Sequence, residues 1–141
     1  MSINSIFNIA GSGMNAQMVR LNTTASNLAN AGVMSGTEKD AFRAKRAVFA
    51  TLVNANLQGY SKEFVGGVKV TDIIDDAAPT KKIYDPLNVL SNKDGFVYGS
   101  NVSEVTEMVE MMSAARSYEN NVKVMTTARQ LMLRTLEISK A

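Results

Sequence analysis

Apolar residues recur at alternating steps of three and four along the C-terminal part of the chain, from Val102 to Leu136. This spacing predicts a long amphipathic helix, because residues three and four apart lie on one face of an α-helix. No Gly or Pro interrupts the sequence after Val102, and Arg129 alone breaks the stripe. The stripe residues that we expect at a helix–helix or subunit interface are Met108, Met111, Ala115, Tyr118, Val122, Met125, Met132 and Leu136.

A second apolar row lies at the start of this helix and consists of Val102, Val105, Val109 and Met112. We expect it to widen the buried face of the helix there. Ser100 or Ser103 can cap the helix N-terminus, since a serine hydroxyl accepts hydrogen bonds from the first free N–H groups.

A second heptad pattern covers residues 2–31 and predicts an N-terminal helix. Its expected interface residues are Phe7, Met14, Met18, Leu21 and Leu28, with the small Gly11 and Ala25 on the same seam. Arg20 is the only charged residue in this segment, and Asn, Ser, Thr and Gln fill the polar face. An uncharged polar face suits burial in a polar interface, where no ion must be desolvated. We therefore expect a helix that becomes ordered on assembly; the alternative is an ordinary surface helix of a small bundle.

The middle of the chain, after a connector at Gly32–Asp40, predicts short strands. Phe42–Val53 alternates apolar and polar residues as a strand does, although a short helix would also fit. Its basic residues Arg43, Lys45 and Arg46 are typical of a solvated strand face rather than a nucleic-acid site. Val65–Ile74 predicts a further strand with a glycine turn or bulge at its start, and Asn92–Gly95 predicts a tight turn.

These elements predict a mainly α fold with a small β insert. The two terminal helices, at residues 1–31 and 102–141, would pair as a coiled-coil-like hairpin and form the core assembly domain. Residues 32–101 would form a β-rich or extended insert. A lone helix pair buries little apolar surface, so we expect the chain to complete its core with copies or relatives of itself.

Composition narrows the function. The 141-residue chain has a formal net charge of only +2, with dispersed basic residues, and it contains no Cys and no His. It therefore lacks the commonest general base and the commonest metal ligands, and we predict no catalytic residue, no cofactor, no metal site and no nucleic-acid partner. No apolar run is long enough to span a bilayer, and the N-terminus does not resemble a cleavable signal peptide. Export would then have to leave the chain intact.

Several motifs resemble those of the axial proteins of the bacterial flagellum, in particular the small proximal rod proteins of the basal body. Ala25-Ser26-Asn27-Leu28-Ala29-Asn30 is similar to the signature that rod and hook proteins share. Phe42–Phe49, Gly67–Val70, Tyr84–Pro86, Asp94–Val97 and Asn101-Val102 fit the proximal rod subgroup, and Glu107–Val122 resembles the family's C-terminal motif. The motif residues are Asn27, Leu28, Ala29, Asn30, Glu107, Met108, Arg116, Tyr118 and Asn121.

The resemblance also has departures. The Thr-x-Gly-Tyr that follows the first signature in many axial proteins is replaced by Val33–Thr37, and Ser100 stands where a proline is common.

The resemblance implies a structural subunit of the proximal rod in the periplasm. Such a subunit is exported uncleaved by the flagellar type III apparatus and polymerises with related rod proteins through its terminal helices, without inserting into the membrane. The paired helices would then line a hollow drive shaft and export channel. The alternative is a soluble coiled-coil adaptor or export chaperone, which would bind its partner through Val105–Leu136 and form a stable small oligomer when purified alone.

Overall fold

The computed structural model describes residues 3–52 and 66–138, which form two long helices and five short strands. In chain order the elements are α1 (Ile3–Ala29), β1 (Met34–Ser35), β2 (Lys45–Thr51), β3 (Val68–Asp75), β4 (Lys81–Tyr84), β5 (Phe96–Gly99) and α2 (Glu104–Ile138). This order confirms the predicted fold of two terminal helices with a small β insert. Ser103 directly precedes α2, and its carbonyl accepts the first helical hydrogen bond, from Glu107 N–H at 2.9 Å.

The strands form two small sheets. One sheet has the order β1-β5-β4 and is antiparallel, with both Met34 and Lys81 opposite Gly99. The other sheet pairs β2 with β3. The two-residue strand β1 lies in the segment that the sequence predicted as a connector, because two residues are too few to show an alternating pattern.

The predicted turn at Asn92–Gly95 is confirmed, and Gly95 is required there. Its N–H donates to the Asn92 carbonyl at 2.9 Å, and its φ is +80°, which side chains with a Cβ rarely adopt. A Cβ on Gly95 would also lie 2.9 Å from Cε2 of Tyr84. The Tyr84 and Phe96 rings pack edge to face with 5.2 Å between their centroids, so the turn packs against an aromatic pair.

Contacts within the chain divide it into two compact units. The first unit comprises Met1–Val19, Val48–Asp72 and Ser113–Ala141, and the second comprises Arg20–Ala47 and Ile73–Met112. Each helix therefore contributes one part to each unit. Among the described residues, neither helix has a stretch both long and apolar enough to cross a membrane.

Small residues form the helix contact of the first unit. Ala10 and Ala16 of α1, and Ala114 and Ala128 of α2, are buried. A Cβ on Gly13 would lie 3.0 Å from Nδ2 of Asn121, which shows how closely the two helices approach. Small side chains permit this approach, whereas the larger predicted seam residues would hold the helix axes further apart.

The start of α2, in the second unit, corrects one prediction. Val102 is buried, but Val105, Val109 and Met112 are exposed, so the second apolar row does not widen the buried face. Glu107 is buried instead. Positions 105, 109 and 112 of an α-helix point away from position 107, and the burial of Glu107 therefore turns them outward.

Candidate functional site

The side chain of Asn27 joins the end of α1 to the start of β2. Its Oδ1 accepts a hydrogen bond from Lys45 N–H at 2.7 Å, and its Nδ2 donates to the Lys45 carbonyl at 2.9 Å. A side-chain amide carries a donor and an acceptor side by side, so it can pair with a backbone residue as a neighbouring strand does. Asn27 is fully buried, and its polar atoms are satisfied by these bonds and by Glu107.

The carboxylate of Glu107 lies beside Asn27 and is also fully buried. Oε2 accepts from Nδ2 of Asn27 at 3.0 Å, and Oε1 accepts from a terminal guanidinium nitrogen of Arg46 at 2.7 Å. A buried carboxylate is tolerated when an opposite charge and hydrogen bonds replace the lost water. Glu107 therefore ties α1, β2 and α2 together at one point.

Further polar contacts surround this point within the second unit. Arg46 also lies 3.5 Å from a carboxylate oxygen of Asp76, and Asp76 N–H donates to the Ala44 carbonyl at 2.7 Å. Asn101 accepts from Ala44 N–H at 2.7 Å and donates to the Ala78 carbonyl at 2.9 Å. We call Asn27, Arg46, Asp76, Asn101 and Glu107 the junction cluster.

An ion pair of Arg20 with Glu110 lies one helical turn further along α2. Arg20 is the only charged residue of α1, and Glu110 neutralises its charge. The ion pairs Arg46–Glu107 and Arg20–Glu110 therefore join the acidic residues on this side of α2 to β2 and to α1.

The opposite side of α2 in the second unit is apolar and exposed. It consists of Val105, Met108, Val109 and Met112, which we call the outward stripe; Val105 is 73% exposed and the other three are at least half exposed. The steps of three, one and three place these four side chains on one helix face. An exposed apolar face of this kind is typical of an interaction surface.

The outward side of α1 carries no charged residue. Asn8, Asn15 and Asn22 recur every seven residues and are exposed, and the neighbouring Ala25 and Ala29 are exposed as well. A solvated helix face usually carries Lys and Glu. The outward side of α1 and the outward stripe of α2 therefore share the lack of charge that suits a protein interface.

Two grooves lie along α2 in the first unit. One, of about 330 Å³, is lined by Ile6, Lys123, Val124, Thr127, Ala128 and Leu131. The other, of about 300 Å³, is lined by Phe7, Met14, Val122, Met125, Thr126 and Arg129. Both are largely apolar, and each has one cationic side chain among its lining residues.

The structure divides the predicted interface residues into two groups. Half-buried are Phe7, Met14, Leu21, Leu28, Met111, Ala115, Tyr118 and Met125. Exposed are Met18, Met108, Val122, Met132 and Leu136. The buried positions of α2 lie instead at Glu107, Ala114 and Ala128, seven or fourteen residues apart. A role of the predicted residues in contacts between subunits remains a prediction.

Of the nine individual motif residues, the structure brings two together, Asn27 and Glu107. Arg46 and Asn101 of the junction cluster lie in the family-like segments Phe42–Phe49 and Asn101-Val102. Asn30 bonds within its own helix end, to the Ser26 carbonyl at 2.7 Å. Of the other motif residues, Leu28, Tyr118 and Asn121 are half-buried, and Ala29, Met108 and Arg116 are exposed.

Arg46 is the residue that the sequence pattern did not reveal. Its side chain is 40% exposed, so it is partly solvated as predicted, but its guanidinium also neutralises Glu107 and contacts Asp76, which the pattern did not predict. A signal was present in the sequence: Glu107 lies among methionines and valines, and a buried acid there requires a cationic partner. Among residues 3–52 and 66–138, His, Cys, Asp and Glu form no group of three that could hold a metal ion.

Comparison with known proteins connects this arrangement to one family. Residues 93–138 match the family described as "Flagellar basal body rod FlgEFG protein C-terminal", and residues 7–33 match "Flagella basal body rod protein". The flagellar basal-body rod protein FlgC of Escherichia coli O6:H1 is 46% identical over 140 residues, covering 99% of this chain and all of that protein. The FlgC protein of Buchnera aphidicola from Acyrthosiphon pisum is 44% identical, and the match covers 99% of this chain and 100% of that protein. The FlgC protein of Bacillus subtilis is 31% identical, and the match covers 94% of this chain and 95% of that protein.

Proposed function

Because this chain belongs to the flagellar basal-body rod protein family and is a structural subunit of the rod, we propose that it polymerises through the outward sides of its two terminal helices. Its partners would be copies of itself and related rod proteins. The outward stripe of α2 carries this proposal, since four apolar side chains point away from the chain's own core.

Burial of the outward stripe would supply part of the association energy. Each of these side chains is already partly covered, so complete burial would contribute about 1 kcal/mol apiece. The stripe is too short to hold two chains together alone, because association also costs translational and rotational freedom. A polymer in which each subunit contacts several neighbours meets this cost through many such contacts.

The uncharged side of α1 supports the same proposal from the other helix. Asparagine amides can hydrogen-bond across an interface without the desolvation cost of an ion. A face of this kind can pack in the wall of the rod or border its channel. Export through the flagellar type III apparatus and a place in the periplasmic rod are part of the proposal, and the family resemblance supports both.

Adding charge to the α1 face tests this proposal. We expect a double substitution, Asn15→Glu with Asn22→Glu, to reduce the number of basal bodies with complete rods. The added carboxylates of neighbouring subunits would repel one another within a Debye length of about 8 Å, and high salt should partly restore assembly in vitro. Counting rods by electron microscopy of isolated basal bodies measures the effect.

The matched control is Val33→Glu with Ala77→Glu, which adds the same two negative charges at exposed positions outside the helices. We expect this variant to build rods normally. Normal rod numbers and swimming in the Asn15→Glu, Asn22→Glu strain would show that this face of α1 meets water, and the proposal would then fail for α1.

A further inference from the structure

The loop between β4 and β5 presents two apolar side chains almost entirely to solvent. Leu87 is 95% exposed and Val89 is 99% exposed, and they follow Pro86. Single exposed apolar residues are common on protein surfaces. Two such residues at the tip of one loop, each with nearly its whole surface free, are a more specific feature.

The backbone of this loop is held in place by its own hydrogen bonds. Asp85 N–H donates to the Gly95 carbonyl at 2.9 Å, and Ser91 N–H donates to the Asn88 carbonyl at 3.0 Å. The Asn88 side chain accepts from Leu90 N–H at 3.0 Å. The loop is therefore preorganised, so docking Leu87 and Val89 would cost little additional ordering. We call Leu87 and Val89 the loop tip.

The groove of about 330 Å³ in the first unit has the chemistry that the loop tip requires. Ile6, Val124, Ala128 and Leu131 give it an apolar lining, and Lys123 is the charged residue among its described lining residues. Its volume is at the lower end for binding pockets and suffices for one or two aliphatic side chains.

We propose that the loop tip of one copy docks into this groove of a neighbouring copy in the rod. Charge favours this occupant: the loop carries Asp85 and Asp94 against Lys93, whereas α2 between residues 121 and 138 carries Lys123, Arg129 and Arg134 against Glu137. The inference rests on the proposed function, because it requires neighbouring copies. A loop and a groove on different parts of one chain make a head-to-tail contact, which extends into an open polymer rather than closing into a pair.

Disulfide trapping in assembled rods tests the contact, because the chain has no cysteine of its own. Two copies are co-expressed, one with Val89→Cys and one with Thr127→Cys, so that only a bond between subunits can form. A disulfide needs Cβ atoms about 3.5–4.5 Å apart, and only close neighbours reach that distance. Basal bodies are isolated, treated with a mild oxidant, and analysed on a non-reducing gel.

The matched control replaces Thr127→Cys by Asn120→Cys, an exposed position seven residues earlier on the same row of α2 and outside the groove. We expect about tenfold more crosslinked dimer for the pair 89 and 127 than for 89 and 120, because facing cysteines have a far higher effective concentration. Complete rods with no dimer, or with equal dimer in both pairs, would overturn the loop contact and leave the proposed function intact. If the unmodified protein also stayed soluble in wild-type cells and never entered rods, the proposed function itself would be contradicted.

Discussion

Replacing Arg46 by methionine should lower the free energy of unfolding of the purified chain by about 2–3 kcal/mol, because Glu107 would be left buried without a cation. Loss of one partner from a fully buried pair costs more, but the Arg46 side chain is itself 40% exposed. Water can therefore reach the vacated space and offset part of the penalty. Urea denaturation followed by circular dichroism measures the change.

Two further variants show whether the junction cluster is responsible. Arg46→Met combined with Glu107→Gln should recover about 1 kcal/mol or more of the loss, since a neutral amide is easier to bury than a carboxylate. Arg43→Met is the matched control, because the described contacts of Arg43, to the Asp76 and Ala78 carbonyls, are long, at 3.5 and 3.4 Å. Equal destabilisation by Arg46→Met and Arg43→Met would mean that the Glu107 pair adds nothing specific.

The combined substitution Met108→Asp with Val109→Asp should abolish rod assembly while leaving the fold of the chain intact. Both residues are at least half exposed in the single chain, so the folded subunit can hydrate the new carboxylates. In an assembled interface they would be buried without partners. A cost of about 4 kcal/mol per contact corresponds to roughly a thousandfold weaker association. Swimming and counts of complete rods give the result.

The control for this substitution is Ser113→Asp with Asn120→Asp, which adds the same charge at exposed polar positions of the same helix. We expect rods to form in that strain. Circular dichroism of both purified variants should match that of the unmodified chain. Normal rods in the Met108→Asp, Val109→Asp strain would remove the outward stripe from the interface.

The helices could be predicted from the sequence because long, uninterrupted periodic segments give a strong signal. The α2 prediction began at Val102 and the helix begins at Glu104; the N-terminal prediction ran to Ala31 and α1 ends at Ala29. The strand β1 could not be predicted, since its two residues are defined only by their pairing with β5. Pairing of this kind depends on distant parts of the chain and has no local pattern.

The faces of the helices were harder to predict than the helices themselves. Periodicity shows which residues share a face but not which of two apolar faces turns inward. In α2 the sequence pattern predicts that the row containing Val105 and Val109 is part of the core, yet Glu107 is the buried residue there. Its burial depends on Asn27 and on Arg46, which lie 80 and 61 residues away in the sequence. A contact at that separation becomes visible only in the folded chain.

The central claim, that the outward stripe is buried between subunits, is tested most directly by thiol labelling of Val105→Cys. Val105 is 73% exposed in the single chain, and the chain contains no other cysteine. We predict that a maleimide reagent labels this cysteine in the purified chain and fails to label it in intact isolated basal bodies. Lys39→Cys, at an exposed position outside the helices, should be labelled in both. Labelling of Val105→Cys in intact basal bodies as fast as that of Lys39→Cys would contradict the account.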